Sequence, residues 1–254
     1  MTLQEFFHSH PKAALAFSGG TDSAFLLWAA KKYGCDIQPY YVKTAFQPEF
    51  ELEDALRLSK ELSVPMKVIE ADIFAIPGAV FNGPDRCYHC KRALFSLLIQ
   101  HAGRDGYSLL LDGTNASDDA TDRPGMRALR ELEVLSPLRE CGMTKAEIRR
   151  LSQQAGLFTW DKPAYACLAT RIPAGIPITR DALSKAERAE AFLFQLGLRD
   201  FRVRLCQDGA LIQATASQFP LMIEKREEIL NALGTDFPHL VLDLKARPSS
   251  IQEV

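Results

Sequence analysis

Ala13-Ala14-Leu15-Ala16-Phe17-Ser18-Gly19-Gly20-Thr21-Asp22-Ser23 is the stretch that decides how this chain folds. Ala13 to Phe17 is an apolar run short enough for a buried strand. Ala24 to Lys32, rich in Ala, Leu and Trp, reads as a helix that Gly34 stops. Strand, glycine turn and helix start, in that order, surround an anion with backbone N–H groups and a positive helix end. Gly19 and Gly20 let the backbone come close to phosphate oxygens. Ser18, Thr21 and Ser23 add hydroxyl donors, and Asp22 is placed to hold a magnesium ion. No GxxxxGK[ST] run is present, so the turn is not of the Walker type.

Outward from this turn, Ile37 to Lys43 reads as a second strand with Pro39 near its start, where a missing donor is tolerated. Glu51 to Leu62 is an amphipathic helix carrying Leu52, Leu56 and Leu62, and Met66 to Ile69 is a third strand. Alternating strands and helices of this length imply βαβ units and a parallel sheet, whose ligands gather at the carboxyl ends of the strands. Cys87-Tyr88-His89-Cys90 follows a loop and precedes a helix expected over Lys91 to Gln100. Thiols there face one point and have their pKa lowered by the helix dipole; the pair suits half a zinc site, a redox pair or two unconnected thiols.

Leu109 to Leu111 is a further buried strand, ending in Asp112-Gly113-Thr114-Asn115-Ala116-Ser117-Asp118-Asp119. A strand that ends so returns the chain to the edge carrying the glycine turn. Gly113, Thr114 and Asn115 then face the nucleotide, and Asp118, Asp119 and Asp122 are placed for magnesium, substrate or Arg123. The alternative is an acidic solvated loop with capping residues. Leu135 to Leu138 is expected to close another strand, and Thr144 to Gln154 to form a helix with Thr144 and Glu147 in capping-box spacing. The Pro- and Gly-dense run Ile172 to Pro177 marks a boundary between domains at 1–172 and 173–254. Beyond it come helix Asp181–Leu196, strand Phe201–Cys206, a turn at Gln207-Asp208-Gly209, strand Ala210–Ala214, helix Phe219–Leu233 and strand Leu240–Leu244. The expected architecture is an α/β nucleotide-binding domain followed by a small α+β domain.

Composition narrows the classes of function. A net charge of −2 over 254 residues gives no global positive field for nucleic acid. Met1 to His10 lacks the basic start and apolar core of a signal peptide, and no run is long enough for a membrane span. The six cysteines fit reduced thiols or metal ligands in a cytoplasmic protein better than disulfides.

Ser18-Gly19-Gly20-Thr21-Asp22-Ser23 resembles the PP-loop of the ATP pyrophosphatase superfamily, with its adenine nucleotide alpha hydrolase-like fold. Its members cleave ATP to AMP and pyrophosphate. Together with Cys87-Tyr88-His89-Cys90-Lys91, the run Leu111 to Gly125, Leu135 to Leu138 and the stretch Lys162 to Gly175, the chain resembles the LarE family of ATP-dependent sulfur transferases. Ala166 to Arg171 is the most discriminating part, and the resemblance covers nearly the whole chain. It implies that a carboxylate of a pyridinium dicarboxylate mononucleotide, a precursor of the nickel-pincer nucleotide cofactor, is adenylated by ATP with magnesium. Sulfur then replaces AMP to give a thiocarboxylate. In one branch the protein's own cysteine gives up its sulfur and becomes dehydroalanine, and Cys167 matches it. In another, three cysteines hold a 4Fe–4S cluster, and Cys87, Cys90 and Cys167 match those; three thiolates leave one iron open for a hydrosulfide. Zinc or plain thiols are the remaining alternative.

Arg171, Arg202 and Arg204 are candidates for the substrate phosphate, since guanidinium forks suit it. Glu190 is a candidate contact to substrate or metal. Leu205 to Gly209 and Gln213 depart from the family pattern of His-Gly after the Arg-x-Arg pair and Glu on the next strand. Cys35, Cys141 and Cys206 carry no motif and are expected to be small packing residues. The resemblance also implies a homo-oligomer, a dimer or a hexamer. The competing readings are a PP-loop tRNA thiolase, a relative of ammonia-using ligases such as GMP synthetase, and a non-catalytic adenine-nucleotide sensor.

Overall fold

Each strand in the first part of the chain is followed by a helix, which brings the next strand back parallel. The computed structural model describes residues 1–118 and 124–249. α1 (Leu3–Ser9), β1 (Lys12–Ala16), α2 (Thr21–Lys32), β2 (Asp36–Lys43), α3 (Glu49–Glu61) and β3 (Lys67–Glu70) come first. They are followed by α4 (Pro77–Val80), α5 (Arg86–Arg104), β4 (Leu110–Leu111), α6 (Pro124–Glu131), α7 (Pro137–Glu140) and α8 (Lys145–Gln154). The four strands lie in the order β3-β2-β1-β4, all parallel, with Ala13 opposite Ile37 and Leu15 opposite Leu111.

Both faces of this sheet are covered, as its near-continuous apolar strands require. Ala13, Leu15, Ile37, Tyr41 and Leu111 point into one buried cluster with Phe6, Phe7, Leu26, Leu27, Leu58 and Ile148. The alternate residues Ala14, Tyr40, Ile69 and Leu110 pack on Leu98 and Ala102 of α5 and Leu129 of α6. The period of two along a strand makes this division.

The chain forms two compact units, one of residues 1–79 and 84–162, the other of 80–83 and 163–249. In the second unit, α9 (Arg180–Gln195), β5 (Phe201–Cys206), β6 (Gly209–Ala214), α10 (Phe219–Glu224), α11 (Arg226–Leu233) and β7 (His239–Leu242) form a three-stranded sheet with helices. β5 and β6 are antiparallel, and β6 and β7 parallel. Leu193, Leu198, Phe201, Val203, Ile212, Met222, Ile229 and Leu233 make its core. Asn82 belongs here, its amide donating to Pro173 O at 2.8 Å and to Ile176 O at 2.9 Å.

Several expected elements differ. Leu135 makes one bridge to Leu111, but Leu135–Leu138 is no strand: Pro137, lacking an N–H and with φ preset, opens the helical turn α7. The helix after the cysteine pair starts at Arg86, so Cys87 and Cys90 lie inside its first turns and not ahead of it. The helix expected over Phe219–Leu233 is broken at Lys225, where φ is −88° and ψ is 11°. Cys35 is buried as expected of a packing residue, but Cys206 is exposed. Among the described residues no helix is long and apolar enough to cross a membrane.

Candidate active site

The strand order puts β1 between β2 and β4, so the chain switches direction across the sheet beside β1, where a parallel sheet opens a crevice. β1 ends in Phe17 to Gly20 and β4 in Asp112 to Asp118, and these two loops meet. A Cβ on Gly113 would lie 3.0 Å from the Ser23 nitrogen, so any side chain there would push the second loop away from the first turn of α2 by a few tenths of an ångström. Gly19 has φ of +70°, and a Cβ there would meet the Ala55 Cβ at 2.9 Å.

Within the turn, Ser18 Oγ and Ser23 Oγ are 3.1 Å apart and the Ser23 hydroxyl donates to Gly20 O at 3.2 Å. Gly20 precedes α2 with no side chain capping the helix start. The Thr21 hydroxyl is committed elsewhere: it donates to Thr159 O at 2.8 Å in a buried setting. Asp22 divides its carboxylate. Oδ2 accepts from Lys145 Nζ at 2.7 Å, while Oδ1 is buried and has no hydrogen-bond partner among the described residues. Burial pushes the Asp22 pKa up and the nearby Asp118 charge adds to this, against the Lys145 ammonium and the Asn115 amide, which pull it down without giving Oδ1 a hydrogen bond. An unpartnered carboxylate oxygen of this kind suits a hard cation such as magnesium.

The loop after β4 is held from within. The buried Asp112 carboxylate accepts from the Ser136 hydroxyl at 2.6 Å, from Thr114 N at 3.2 Å and from the Thr114 hydroxyl at 2.5 Å. Asn115 Oδ1 accepts from Ser117 N at 2.7 Å, and Asp118 Oδ2 from Asn115 N at 2.9 Å. Arg139 donates to the Asp118 carbonyl, and Ser117 Oγ accepts from Lys145 N at 2.9 Å. Asp119, Asp122 and Arg123 lie outside the described residues. Cys87 and Lys91 of α5 line a cavity of about 350 Å³ together with Thr114 and Asp118. Cys87 is exposed and Cys90 half-buried.

Two residues of this site were not singled out by sequence. Lys145 occupies the first position of α8 and reaches Asp22. Lys162 forms an ion pair with Asp54 at 2.6 Å and donates to Gly19 O at 3.4 Å. Lys145 left one signal, a cation directly after a helix cap, where the dipole disfavours it. Lys162 heads the stretch that ends in Arg171.

In the second unit, Cys167 precedes a 3₁₀ turn, Leu168–Arg171, and is half-buried. Arg171 and Glu190 are both buried and paired: Nε donates to Oε1 at 2.6 Å and Nη2 to Oε2 at 3.1 Å. Glu190 also accepts from the Tyr165 hydroxyl at 2.5 Å and from Val203 N at 2.8 Å. Arg202 is buried as well, donating to the Phe201 and Ala164 carbonyls, and Arg171 and Arg202 each lie over the Tyr165 ring. Burial, with the Arg171 charge adding to it, pulls the Arg202 pKa down to about 10, so it stays charged at neutral pH. Arg204 is exposed and donates to Gln213 Oε1 and Thr170 O. The unit thus gathers Arg171, Glu190, Arg202 and Arg204, and the first unit gathers the glycine turn, Asp22 and Gly113 to Asp118. Among the described residues no group of three or more His, Cys, Asp or Glu side chains is assembled to hold a metal ion.

No protein-family model matches the chain. An uncharacterized protein of Synechocystis sp. is 34% identical over 97% of this chain and 94% of its own length. The pyridinium-3,5-bisthiocarboxylic acid mononucleotide synthase of Lactiplantibacillus plantarum is 30% identical over 92% of this chain and 86% of its own. A tRNA-specific 2-thiouridylase of Thermotoga petrophila is 23% identical over 58% of this chain and 52% of its own.

Two substitutions test this geometry. Gly113→Ala is expected to cost about 1–3 kcal/mol in urea unfolding, because the new methyl has backbone in its way; an unchanged midpoint would mean the loops are not pressed together. Glu190→Gln is expected to cost at least about 3 kcal/mol, since it leaves the Arg171 charge buried without its counter-charge. A loss below about 1 kcal/mol would show that water reaches the pair.

Proposed function

The chain belongs to the LarE family, that of the pyridinium-3,5-bisthiocarboxylic acid mononucleotide synthase, and on that premise we propose that it activates a carboxylate with ATP and replaces the AMP by sulfur. The acceptor in this reading is a pyridinium dicarboxylate mononucleotide, a step toward the nickel-pincer nucleotide cofactor. The observation that carries the reading is Asp22, a carboxylate at the start of α2 with one oxygen buried and unpartnered beside a glycine turn at the sheet's crevice.

The residues present fit a magnesium–nucleotide. Asp22 Oδ1 would take the metal, which supplies charge neutralisation at the phosphates. Ser18, Gly19, Gly20 and Ser23 offer hydroxyl and amide donors to the phosphates at the uncapped start of α2. Gly113, Thr114 and Asn115 wall the same crevice, and Asp118 stands beside it. The acceptor carboxylate oxygen attacks the α-phosphorus, the bond to the bridging oxygen breaks, and its electron pair leaves with pyrophosphate. The second unit supplies Arg171, Arg202 and Arg204 for the acceptor's phosphate. In that role Arg202 brings a guanidinium that donates to the Phe201 and Ala164 carbonyls, while Arg171, locked to Glu190, acts by holding Tyr165 and the positive charge in place.

The sulfur carrier in this reading is a 4Fe–4S cluster held by Cys87, Cys90 and Cys167. Thiolates of this number would leave one iron to bind hydrosulfide. Cys87 and Cys90, three residues apart on α5, share one helix face, which suits a common ligand. The alternative within the family is Cys167 alone as a sacrificial donor.

Asp22→Asn tests the adenylation step. Pyrophosphate release is expected to fall at least a hundredfold, the usual loss when an oriented charge at a reacting phosphate is removed. The ligand-free melting temperature should not fall. Burial holds the Asp22 pKa above its unfolded value, so ionised Asp22 works against the fold as pH rises through that value, and a neutral amide does not. Normal pyrophosphate release by the variant would sink the assignment.

Single Cys→Ala changes separate the sulfur carriers. With a cluster, protein purified without oxygen contains iron and sulfide, and each of Cys87→Ala, Cys90→Ala and Cys167→Ala lowers both and stops sulfur transfer. With a sacrificial cysteine, only Cys167→Ala is dead, and used protein is lighter by one hydrogen sulfide.

A further inference from the structure

Lys145 sits where the local physics disfavours it. It is the first residue of the ten-residue helix α8, directly after the Thr144 cap, whose hydroxyl accepts from Glu147 N at 3.3 Å. A cation there meets the positive end of the helix dipole, which the Glu147 carboxylate in the same turn suits and an ammonium does not. The backbone of Lys145 is nonetheless fixed by Ser117 Oγ, and its side chain lies across Asp22 at 2.7 Å. Local rules broken at a well-fixed position point to use at a site.

The pairing itself is incomplete. Asp22 and Asp118 both influence this point, and the Lys145 ammonium ties only Asp22 Oδ2, while Oδ1 is buried and takes no hydrogen bond among the described residues. An ammonium carries three donors, of which the described contact uses one. The two helix starts, α2 and α8, carry Asp22 at the second position of one and Lys145 at the first position of the other. Both positive helix ends and the ammonium therefore meet at the place where a triphosphate would lie.

Resting on the adenylation reading, we propose that Lys145 is a phosphate-binding residue of this site, held by Asp22 until metal and nucleotide arrive. Asp22, with Oδ1 given to a hard cation, would hold the Lys145 ammonium less strongly through Oδ2. Lys145 then turns to the phosphate oxygens and neutralises charge on the leaving pyrophosphate as the α-phosphorus–oxygen bond breaks. No proton or covalent bond passes through the lysine. Its remaining contact with Asp22 keeps the metal-bound carboxylate and the phosphates in one register.

The test uses two probes on the full chain, manganese alone and magnesium with α,β-methylene ATP, measured by calorimetry and, for manganese, by electron paramagnetic resonance. In Lys145→Ala, manganese alone should bind several-fold tighter, because its competitor for Asp22 is gone. The nucleotide analogue should bind about tenfold more weakly, and pyrophosphate release should fall about a hundredfold. Lys145→Arg should recover most of the analogue affinity and little of the rate. A lysine that merely braces the fold would not move the two affinities in opposite directions; equal shifts, or none, overturn the proposal. If wild type and Lys145→Ala release pyrophosphate equally, the lysine assignment fails and adenylation stands. If neither releases it, yet the opposed affinities appear, adenylation fails and Lys145 remains a phosphate ligand.

Discussion

The close approach of Gly113 to the first turn of α2 is the constraint on which the rest of the first unit depends. Parallel strands β1 and β4 lie side by side, so the loops leaving them share one crevice, and a residue without a side chain lets them touch without displacement. Everything chemical in the unit follows from that contact. It brings the Asp112–Asp118 loop over Asp22, and through Ser117 it brings the start of α8 as well. The buried Asp112 carboxylate, with three donors turned inward, keeps the loop from relaxing away.

The two units treat buried charge differently. At Asp22 the pairing is partial and partly open to solvent, so the charges can be reassigned when a ligand comes. Around Glu190 it is closed: two guanidinium–carboxylate hydrogen bonds, a tyrosine hydroxyl and a backbone amide fill the carboxylate's acceptor positions. The first arrangement suits a site that changes occupants during a reaction. The second fixes the β5 strand and the 3₁₀ turn after Cys167 on one helix, α9.

Legibility in the sequence followed the range of the interactions. The strand–turn–helix around Gly19 and the parallel sheet were readable because their signals lie within a few residues of one another. The place of Asp22 in the first turn of α2 was readable for the same reason. Lys145 and Lys162 were not, because their partners are 123 and 108 positions away (145 − 22; 162 − 54), and an isolated lysine carries no periodic signal. Thr21 shows the limit of a motif: the residue type is right for a phosphate donor, but its hydroxyl is spent on Thr159. Arg171 shows another, since the sequence cannot tell an arginine held out for a ligand from one paired inside. At Leu135 to Leu138, four apolar and small residues suggested a strand, and the ring of Pro137 decided for a turn.

The buried Arg149 side chain has a consequence for where the first unit can be cut. From α8 it donates to Trp160 O at 2.6 Å and to Lys162 O at 2.8 Å, while Thr159 O takes the Thr21 hydroxyl. Residues 158–162 follow the last regular helix of that unit and look like a dispensable tether. They are instead its closing seam, stitched to both α8 and the glycine turn. A gene fragment that ends at Gly156 would take away the Trp160 and Lys162 carbonyls from the buried Arg149 and the Thr159 carbonyl from Thr21, whereas one that runs through Lys162 carries its own fastening. The exchangeable module is therefore defined by backbone carbonyls, several residues past the point where the helices stop.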